Sequence, residues 1–570
     1  PQEQQESNKD IFSNDVKDQE AIALELEAKA VAERMAKKKN KIDKTCTKVL
    51  EGVPDAKDFP ARLPPNFEKV TVNLWDHPDA KRLLAGLSEE AVKACVTENN
   101  LDFFYNKGLQ QNDLLNFEQQ KGYTVMNLDC RDTQGDTLAA LLLVLDDAGA
   151  VAALSPLERR AESVNLRAPG EVLFATGHNG AGVWRWREGA AAVERLPLET
   201  DSHTLWYSAA HEAYFGMEPP SKVQKNAPSV ASAWSPAGEQ LFSFVQDKAH
   251  INYITVDDDA MYVSLRASAA LEKVDLATSE VEWVLGGTHS TFTITDAEGN
   301  EYAPTGEDTW RDGFGSWHHQ HKFQHLGMGF YSLFDNNVGD GHEQVPKPWG
   351  TSSRNVILYV DEASRQAWEV FSHPTGDNAM SYGGTDLLPS GNVLTTSYVD
   401  WVHPADPDHQ YHVNIWEVST ATNEVEWRAG FKGFNPVAPE NLRDPYPHYF
   451  FDPLNPDGHV PTLWNIYTAD RAYSTVFALH LCSARGGAAV RFSPFNTVRT
   501  QNDAPGVAYL LDPQGQVAAQ KPFMYQKAWL DRPEEIEVPP GLARFQLGLN
   551  NQWDNPWAQD VDMHTLQACA

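Results

Sequence analysis

The chain has 570 residues, with 46 basic and 79 acidic side chains and a formal net charge of −33. This excess of negative charge opposes binding to nucleic acid phosphates and to anionic membrane surfaces. The most apolar run, residues 138–154, is interrupted by Asp146 and Asp147 and is too polar for a membrane span. We therefore expect no nucleic acid partner and no membrane span. The length fits either several domains or one large β-propeller.

The first 120 residues differ in composition from the rest. Residues 20–44 are rich in helix formers, with acidic residues toward the start and lysines toward the end, as a helix dipole favours. We predict an N-terminal helical extension over residues 1–50, which either docks on a protein partner or on the main domain, or stays solvated. Residues 51–120 are predicted to form a partly helical lead-in, because Ser88 opens a short helical pattern as an N-cap.

The main body of the chain, residues 121–530, is predicted to be all-β. Alternating or apolar runs of strand length, separated by Asp, Gly and Asn turns, fill it without a convincing long helix. A pattern of strand, turn, strand, aspartate turn and tryptophan recurs irregularly, about every 50 to 70 residues. Units of about four strands at this period indicate a β-propeller, whose inner strands line a central channel. Residues 531–570 are predicted to form a C-terminal tail.

The phase of this pattern also predicts a site. His203, His250 and His321 each stand just ahead of the first strand of a unit, so ring closure should bring them to one mouth of the channel. Arg354 begins a strand soon after His321. A guanidinium fork, together with imidazoles that donate, accept or attack, suits an anionic ligand. The alternative is that these are loop residues satisfied by backbone or water.

Six stretches of the sequence resemble the arylsulfotransferase family, propeller enzymes that move sulfate between phenols without a nucleotide sulfate donor. They span about residues 120–475 and are, in order, GYTVMNLDC, HINYITVDDDAMYVSLR, KVDLATSEVEWVLGG, QHKFQHLGMGFYSLFDNN, SSRNVILYVDEA and LLPSGNVL. The resemblance implies a six-bladed propeller in which His250, His321 and Arg354 surround the sulfuryl group. It also implies a histidine nucleophile, sulfated transiently, for which His448 is the nearest match. The implied substrates are a small aryl sulfate and a phenol.

Two departures from the family's pattern lie near the predicted site. Lys322 replaces an acidic residue after His321, and a long insert, Gly339–Ser352, precedes Arg354. The N-terminal helix and the C-terminal tail also have no counterpart in the resembled pattern.

The sequence has no glycine-rich loop that would cradle a nucleotide phosphate, so we expect no cofactor. The side chains expected to bind the aryl substrate are His203, Trp317, Phe323 and Tyr331, although aromatic residues of a propeller are more often core. A calcium site at Asp335–Asp340 is disfavoured, because Gly339 supplies no side-chain oxygen where the ligand spacing needs one.

The rival hypothesis is a propeller that has lost catalysis and serves as an interaction or assembly module. Convergence of His250, His321, Arg354 and a further histidine on one small volume would discriminate against it.

Compartment is indicated only indirectly. The chain begins at Pro1 rather than at a methionine, which leaves room for a cleaved targeting segment, and we favour a secreted or luminal location. No Asn-x-Ser/Thr site is present, which weakens the case for a glycosylated secretory protein. The cysteines are too scattered for a zinc site and too few for a disulfide scaffold, and one pair among the first three is left open. They are Cys46, Cys95, Cys130, Cys482 and Cys569.

Overall fold

The computed structural model describes residues 67–87, 101–106, 122–131, 137–177, 180–186, 192–219, 228–246, 250–257, 259–304, 315–339, 345–379, 381–399, 408–432, 464–498, 504–527 and 532–569. The predicted N-terminal helical extension, with the protein partner expected for it, lies outside these residues. His448 also lies outside them.

The described chain begins with two strands and a short helix: β1 (Phe67–Val72), α1 (Pro78–Gly86) and β2 (Leu101–Asn106). The start of α1 follows from its sequence. Pro78 occupies the first helical position, where no backbone donor is needed, and the His77 side chain accepts a hydrogen bond of 3.3 Å from the Asp79 N–H.

Three antiparallel sheets come next in chain order. Sheet 1 contains β3 (Gly122–Arg131), β4 (Thr137–Leu145) and β5 (Val151–Leu157). Sheet 2 contains β6 (Ala161–Ala168), β7 (Glu171–Thr176), β8 (Gly180–Arg185) and β9 (Ala192–Arg195). Sheet 3 contains β10 (Leu205–Ser208), β11 (Ala213–Met217), β12 (Ser229–Trp234) and β13 (Gln240–Gln246).

Three further sheets continue the series. Sheet 4 contains β14 (Ile251–Asp257), β15 (Ala260–Leu265), β16 (Ala270–Asp275) and β17 (Val281–Gly286). Sheet 5 contains β18 (Thr293–Thr295), β19 (Glu301–Tyr302), β20 (His321–Gly327), β21 (Phe330–Asp335), β22 (Arg354–Asp361) and β23 (Gln366–Pro374). Sheet 6 contains β24 (Gly384–Leu387), β25 (Val393–Tyr398), β26 (Tyr411–Val418) and β27 (Val425–Lys432), and β2 and β1 extend it beyond β27.

Local sequence explains why these strands form. β4 carries the run TLAALLLVL, and its last seven residues are buried, because this strand packs between neighbouring sheets on both faces. The turn that ends it is set by Asp146, whose carboxylate accepts hydrogen bonds from the N–H groups of Ala148 (3.0 Å) and Ala150 (2.8 Å). Gly149 completes the turn at a φ of 81°, a conformation that glycine adopts without strain.

The inner strands of the six sheets contact one another in sequence. β6 contacts β10, β10 contacts β14, β14 contacts β20, and β20 contacts β24. Two later strands, β28 (Trp464–Asn465) and β29 (Ala469–Tyr473), pair antiparallel with β3 of sheet 1. β29 also contacts β25 of sheet 6 and β6 of sheet 2. The chain thus returns to its first sheet after its sixth.

The remaining residues form two sheets with a core of their own. Sheet 7 contains β30 (Phe477–Ala484), β31 (Ala489–Phe495) and β34 (Glu534–Glu537). Sheet 8 contains β32 (Ala504–Leu511), β33 (Val517–Tyr525), β35 (Arg544–Asn551) and β36 (Trp557–Asp562). Phe492 and Ile536 of sheet 7 share a buried cluster with Leu510 and Leu547 of sheet 8.

The residues predicted as a C-terminal tail belong to these two sheets. β34 pairs with β31, and β35 pairs with β32, so hydrogen bonds cross the predicted boundary at residue 530. A disulfide between Cys482 and Cys569 fixes the end of the described chain to β30. Composition alone did not reveal this, because strands on the outside of a small sheet pair are rich in polar and acidic residues.

The described part of the chain is nearly all β, and its consecutive antiparallel sheets fit a β-propeller-like fold, as the sequence predicts. The number of blades stays a prediction. Within the described ranges, no helix combines the length and the hydropathy that crossing a bilayer requires.

Candidate active site

Three histidines from sheets 3, 4 and 5 gather around one tyrosine. His203 precedes β10 and His250 precedes β14, and their Nε2 atoms lie 3.3 Å apart. His321 is the first residue of β20, and its ring lies 5.8 Å, edge-on, from the ring of Tyr467. The same Tyr467 ring lies 5.9 Å from that of His203. We call His203, His250, His321 and the adjacent Tyr382 and Tyr467 the histidine cluster.

His321 is held as a neutral imidazole with a defined tautomer. The amide of Asn336 donates to the carbonyls of Ala379 (2.7 Å) and Tyr382 (2.9 Å), so its oxygen faces His321. His321 Nδ1 lies 2.7 Å from this oxygen and therefore carries the proton, while Nε2 accepts from the Tyr382 N–H at 3.3 Å. Burial, helped by the charge of Arg266, lowers the pKa of His321 to about 3.

His203 and His250 carry different charges although their rings are in contact. Burial opposes a charge on His203, but the carboxylates of Glu162 and Asp201 outweigh it and raise the pKa. Nδ1 of His203 bonds to Asp201 and lies 3.5 Å from Glu162 Oε2. Burial, and then the charges of His203 and Arg266, lower the pKa of His250 to about 2. The raised pKa favours a proton on both nitrogens of His203, and its Nε2 then faces the neutral His250 as the donor of the 3.3 Å contact.

The carboxylates behind His203 form a charge-balanced network. Glu162, Asp201 and His203 offer ligand atoms within 4.8 Å of one another, a set that suits a divalent metal by atom type. However, the Arg160 guanidinium pairs with Glu162, and the Ser202 hydroxyl donates to it at 2.6 Å. The lone pairs that a metal would need are largely used, so the network is better suited to hold His203 in its charged form.

Arg266, which is not among the residues predicted from the sequence, lies beside His250 of the histidine cluster. It follows β15, directly opposite His250, and its N–H donates to the His250 carbonyl at 3.0 Å. The Gln320 side chain donates to the carbonyls of Leu265 and Ala270, both at 3.1 Å, on either side of the Arg266 turn. Since Gln320 precedes His321, these bonds hold the turn between His250 and His321.

The guanidinium of Arg354 bonds to other protein groups and not to the histidines of the cluster. Its side chain is fully buried, and its guanidinium bonds to Asp335 at 2.9 Å and to both carboxylate oxygens of Glu369 at 2.7 and 2.8 Å. It also donates to the Ser316 carbonyl at 2.9 Å. The insert that precedes Arg354 carries Trp349, whose ring lies 3.3 Å from the guanidinium carbon. Protein groups therefore occupy the donors expected to face the sulfuryl group.

The three aromatic residues predicted to bind substrate lie in the core between sheets 4 and 5. Trp317, Phe323 and Tyr331 are each at most 1 % exposed and belong to one apolar cluster. Trp317 donates its indole N–H to the Ala269 carbonyl at 2.9 Å and packs edge-on against Phe323. Their apolar faces are used for packing, so the structure leaves the aromatic lining of the cluster to Tyr382 and Tyr467.

The departure at Lys322 has a structural explanation. Its ammonium pairs with Asp386 at the start of the next sheet, and both side chains are 2 % exposed. Gln324 adds a 2.8 Å hydrogen bond to the same carboxylate. A lysine at this position thus requires the aspartate of β24, and the pair ties sheet 5 to sheet 6.

The loop after β21 gives no support to a calcium site. Asp335 accepts hydrogen bonds of 2.9 Å from the N–H groups of His318 and Asn337, in addition to its bond with Arg354. The Asn336 oxygen faces His321. These oxygens already have protein donors.

A cavity of about 560 Å³ lies away from the histidine cluster, at the rim of sheets 1 and 2. Its lining includes Glu158 and Arg195, a 2.9 Å ion pair on largely exposed side chains. None of the three histidines lines it. We place the candidate site at the histidine cluster, because titratable and cationic groups converge there.

Comparison with known proteins supports the resemblance seen in the sequence. Residues 225–439 match the model of the arylsulfotransferase (ASST) family, which confirms the resemblance over that segment. The matched segment includes His250, His321, Arg266 and Arg354. It excludes His203. A search of curated proteins found no match.

Several solved structures share a similar chain path over part of the protein. A protein of unknown function from Bacteroides caccae is 13 % identical, with a TM-score of 0.33, and the match covers 54 % of this chain and 93 % of that one. TolB from Acinetobacter baumannii is 9 % identical, with a TM-score of 0.30, over 54 % and 63 % of the two chains. Apo AztD from Citrobacter koseri is 10 % identical, with a TM-score of 0.28, over 73 % and 98 %. Likeness at this level carries no functional conclusion.

Proposed function

We propose, from the match of residues 225–439 to the arylsulfotransferase family, that this chain is an arylsulfotransferase-like propeller of six blades. It transfers a sulfuryl group from an aryl sulfate to a phenol, without a nucleotide, at the histidine cluster. The observation that carries the proposal is the convergence of three histidines. His203 contacts His250, and the rings of His203 and His321 both contact the ring of Tyr467.

The charge states of the imidazoles suit the two half-reactions. In the first, a neutral imidazole attacks sulfur, the bond from sulfur to the aryl oxygen breaks, and the leaving phenolate takes the proton of His203. In the second, the acceptor phenol returns a proton to His203 while its oxygen attacks sulfur and frees the nucleophilic imidazole. Asp201 and Glu162 favour the charged form of His203 at the start of each cycle. His448 keeps the role of nucleophile that the family resemblance implies.

The two neutral histidines have a separate role in this scheme. His321 Nε2 carries a lone pair, because its Nδ1 proton is committed to Asn336. This lone pair accepts a hydrogen bond from the Tyr382 N–H at 3.3 Å, so His321 is fixed at both ring nitrogens and serves as an uncharged wall that positions the substrate. His250 contacts His203 through their Nε2 atoms and so fixes the orientation of the His203 ring, which is the proton donor.

A secreted or luminal location is part of the proposal. The disulfide between Cys482 and Cys569 supports it, because disulfides persist in oxidising compartments and are rare in reducing ones.

The experiment uses the full chain with 4-nitrophenyl sulfate as donor and phenol as acceptor, without nucleotide. We expect release of nitrophenolate and, by mass spectrometry, formation of phenyl sulfate. His203→Ala should slow the reaction about 10²- to 10⁴-fold, since the leaving group loses its acid. The matched control is His564→Ala, because this histidine is exposed on the C-terminal sheets and should not affect the rate.

The non-catalytic alternative makes a different prediction for the same assay. A wild-type protein that binds the aryl sulfate but never releases nitrophenolate would overturn the transfer proposal and support an interaction module.

A further inference from the structure

We propose that Arg266, rather than Arg354, is the arginine that binds the anionic sulfuryl group in this chain. The inference deepens the proposed function and rests on it for the identity of the ligand. The binding of an anion at Arg266 can nevertheless be measured without any transfer reaction.

The first step of the argument is that Arg354 has no donor to spare at the cluster. All three of its guanidinium nitrogens donate to Asp335, Glu369, Ser372 or the Ser316 carbonyl. Two carboxylates, those of Asp335 and Glu369, bond to its single positive charge. An anionic ligand at this arginine would have to displace a carboxylate from a buried site.

The second step is that Arg266 is fixed in position by its backbone. Its N–H bonds to the His250 carbonyl, and the Gln320 amide binds both ends of the Arg266 turn. The side chain therefore starts between the two neutral histidines of the cluster. Arg266 follows β15 of sheet 4, whereas Arg354 begins β22 of sheet 5.

The third step concerns the charge of Arg266. Among the residues that the structure describes, no carboxylate forms an ion pair with its guanidinium, and its buried Nε has no hydrogen-bond acceptor. The side chain as a whole is only partly buried, but an Nε that is shielded from water and lacks an acceptor is unfavourable, because its lost hydration is not replaced. An anion that occupies this position supplies both the missing acceptor and the opposite charge.

The electrostatic effects on neighbouring groups agree with this placement. The charge of Arg266 acts to lower the pKa of each of the three histidines, although carboxylates outweigh this effect at His203. Burial lowers the pKa of Arg266 itself, and Tyr467, Tyr382 and Glu162 partly oppose this. These effects are consistent with the position that the backbone contact with His250 gives to Arg266.

The chemistry of the site selects the ligand. A guanidinium presents parallel N–H donors that match two oxygens of a tetrahedral anion, and charge-assisted bonds of this kind are short and strong. His250 and His321 are neutral, so the positive charge beside them comes from Arg266. A sulfuryl group, whose oxygens gain charge during transfer, fits a guanidinium placed beside neutral His250 and His321.

The test compares Arg266→Gln and Arg266→Lys with wild type in the full chain, with Arg365→Gln on sheet 5 as the matched control. Inorganic sulfate is titrated calorimetrically into each protein. We expect Arg266→Gln to weaken sulfate binding at least about 10-fold and Arg266→Lys to restore part of it, because lysine keeps the charge but loses the fork. The rate with 4-nitrophenyl sulfate should fall about 10²- to 10³-fold in Arg266→Gln.

A second measurement separates binding from a structural role. In sulfate-free buffer, Arg266→Gln should melt at or above the temperature of wild type, since an unmatched charge is removed. Added sulfate should stabilise wild type but not the variant. Unchanged sulfate affinity in Arg266→Gln, or loss of its fold without sulfate, would overturn the inference.

The two proposals fail in different ways. Sulfate binding that depends on Arg266 in a protein without transfer activity would retain the anion site and refute the transferase. Undiminished transfer by Arg266→Gln would retain the transferase and refute the anion site.

Discussion

Two arginines on consecutive sheets, Arg266 and Arg354, have opposite electrostatic surroundings. Arg354 in sheet 5 has two carboxylates, Asp335 and Glu369, bonded to its guanidinium in a fully buried network. Arg266 in sheet 4 has no carboxylate partner among the described residues and lies beside three histidines. The first charge is matched by the protein and serves the fold. The second is unmatched, which is how a site keeps a charge available for a ligand.

The comparison shows why a motif alone does not identify a functional arginine. The strand that begins with Arg354 is the one the family resemblance points to, yet the insert before it brings Trp349 onto the guanidinium. The availability of a side chain depends on carboxylates that lie 15 to 19 residues away in sequence. Those partners become visible only when strand register is known.

The largest expected effect comes from breaking the matched network. Arg354→Met removes the guanidinium that bonds to buried Asp335 and Glu369, and we expect it to lower the free energy of unfolding by about 3 to 5 kcal/mol. Urea denaturation of wild type and variant measures the change. Arg195→Met, which breaks an exposed ion pair, is the matched control and should change stability little. Equal stability of Arg354→Met and wild type would remove the distinction between the two arginines.

A second matched pair should behave in the same way with a smaller cost. Lys322→Met leaves only Asp386 uncompensated, so we expect a loss of about 3 kcal/mol. The double variant Lys322→Met, Asp386→Leu should recover most of it, because no buried charge is left. A double-mutant cycle by urea denaturation gives the coupling. If the two single losses simply add, the ammonium and carboxylate do not stabilise each other.

The unmatched region should instead respond to pH. The folded-state pKa values of His250 and His321 are lowered to about 2 and about 3, so only the unfolded chain takes up their protons as the pH falls below 6.5. Each should therefore reduce stability by about 1.4 kcal/mol per pH unit on acidification between pH 6 and 4. His203, whose folded pKa is raised, acts oppositely. Its contribution is complete below 6.5 and is lost as the pH rises through its folded pKa.

The measurement is the free energy of unfolding against pH in wild type and His321→Asn. Between pH 6 and 4, the free energy of unfolding of His321→Asn should fall less steeply than that of wild type, by the contribution of one histidine. His564→Asn, at an exposed position, is the control. Identical slopes in wild type and His321→Asn would show that His321 takes up a proton in the folded protein.

The smallest effect is expected from Trp349, whose ring lies over the Arg354 guanidinium. Trp349→Leu removes the aromatic face from the guanidinium and should cost about 1 to 2 kcal/mol. It should leave sulfate binding unchanged, because Trp349 belongs to the matched region. Trp368→Leu, which removes an indole stacked on Tyr359 and not on an arginine, controls for the loss of ring area. Weaker sulfate binding in Trp349→Leu would show that the surroundings of Arg354 also affect the anion site, contrary to our expectation.

Much of the fold follows from local sequence patterns. Strand-length runs and Asp and Gly turns predicted an all-β body, and the described sheets agree with it. The boundaries were harder. Sheets 7 and 8 share no repeat with the earlier sheets, and their pairing joins residues 489–495 to 534–537, so composition at the C-terminal end could not distinguish a tail from strands.

The histidines were predictable because they share a position in each unit, and the structure brings His203, His250 and His321 together. Arg266 could have been predicted from the antiparallel register of the β14–β15 hairpin. β14 and β15 turn at Asp257 and Ala260, and this register places Arg266 opposite His250. Tyr467 and Asp201 could not have been found in this way, because they reach the cluster through contacts between different sheets.

The pairing of β29 with β3 has a consequence for the order in which the protein becomes complete. Ala469 pairs with Met126, 343 residues earlier in the chain, and such distant contacts form late in folding. Tyr467 lies immediately before β29, so its ring reaches His203 and His321 only once that strand is seated. During synthesis the three histidines emerge long before this tyrosine does. A chain that ends before Tyr467 therefore contains all three histidines but lacks the ring that His203 and His321 contact.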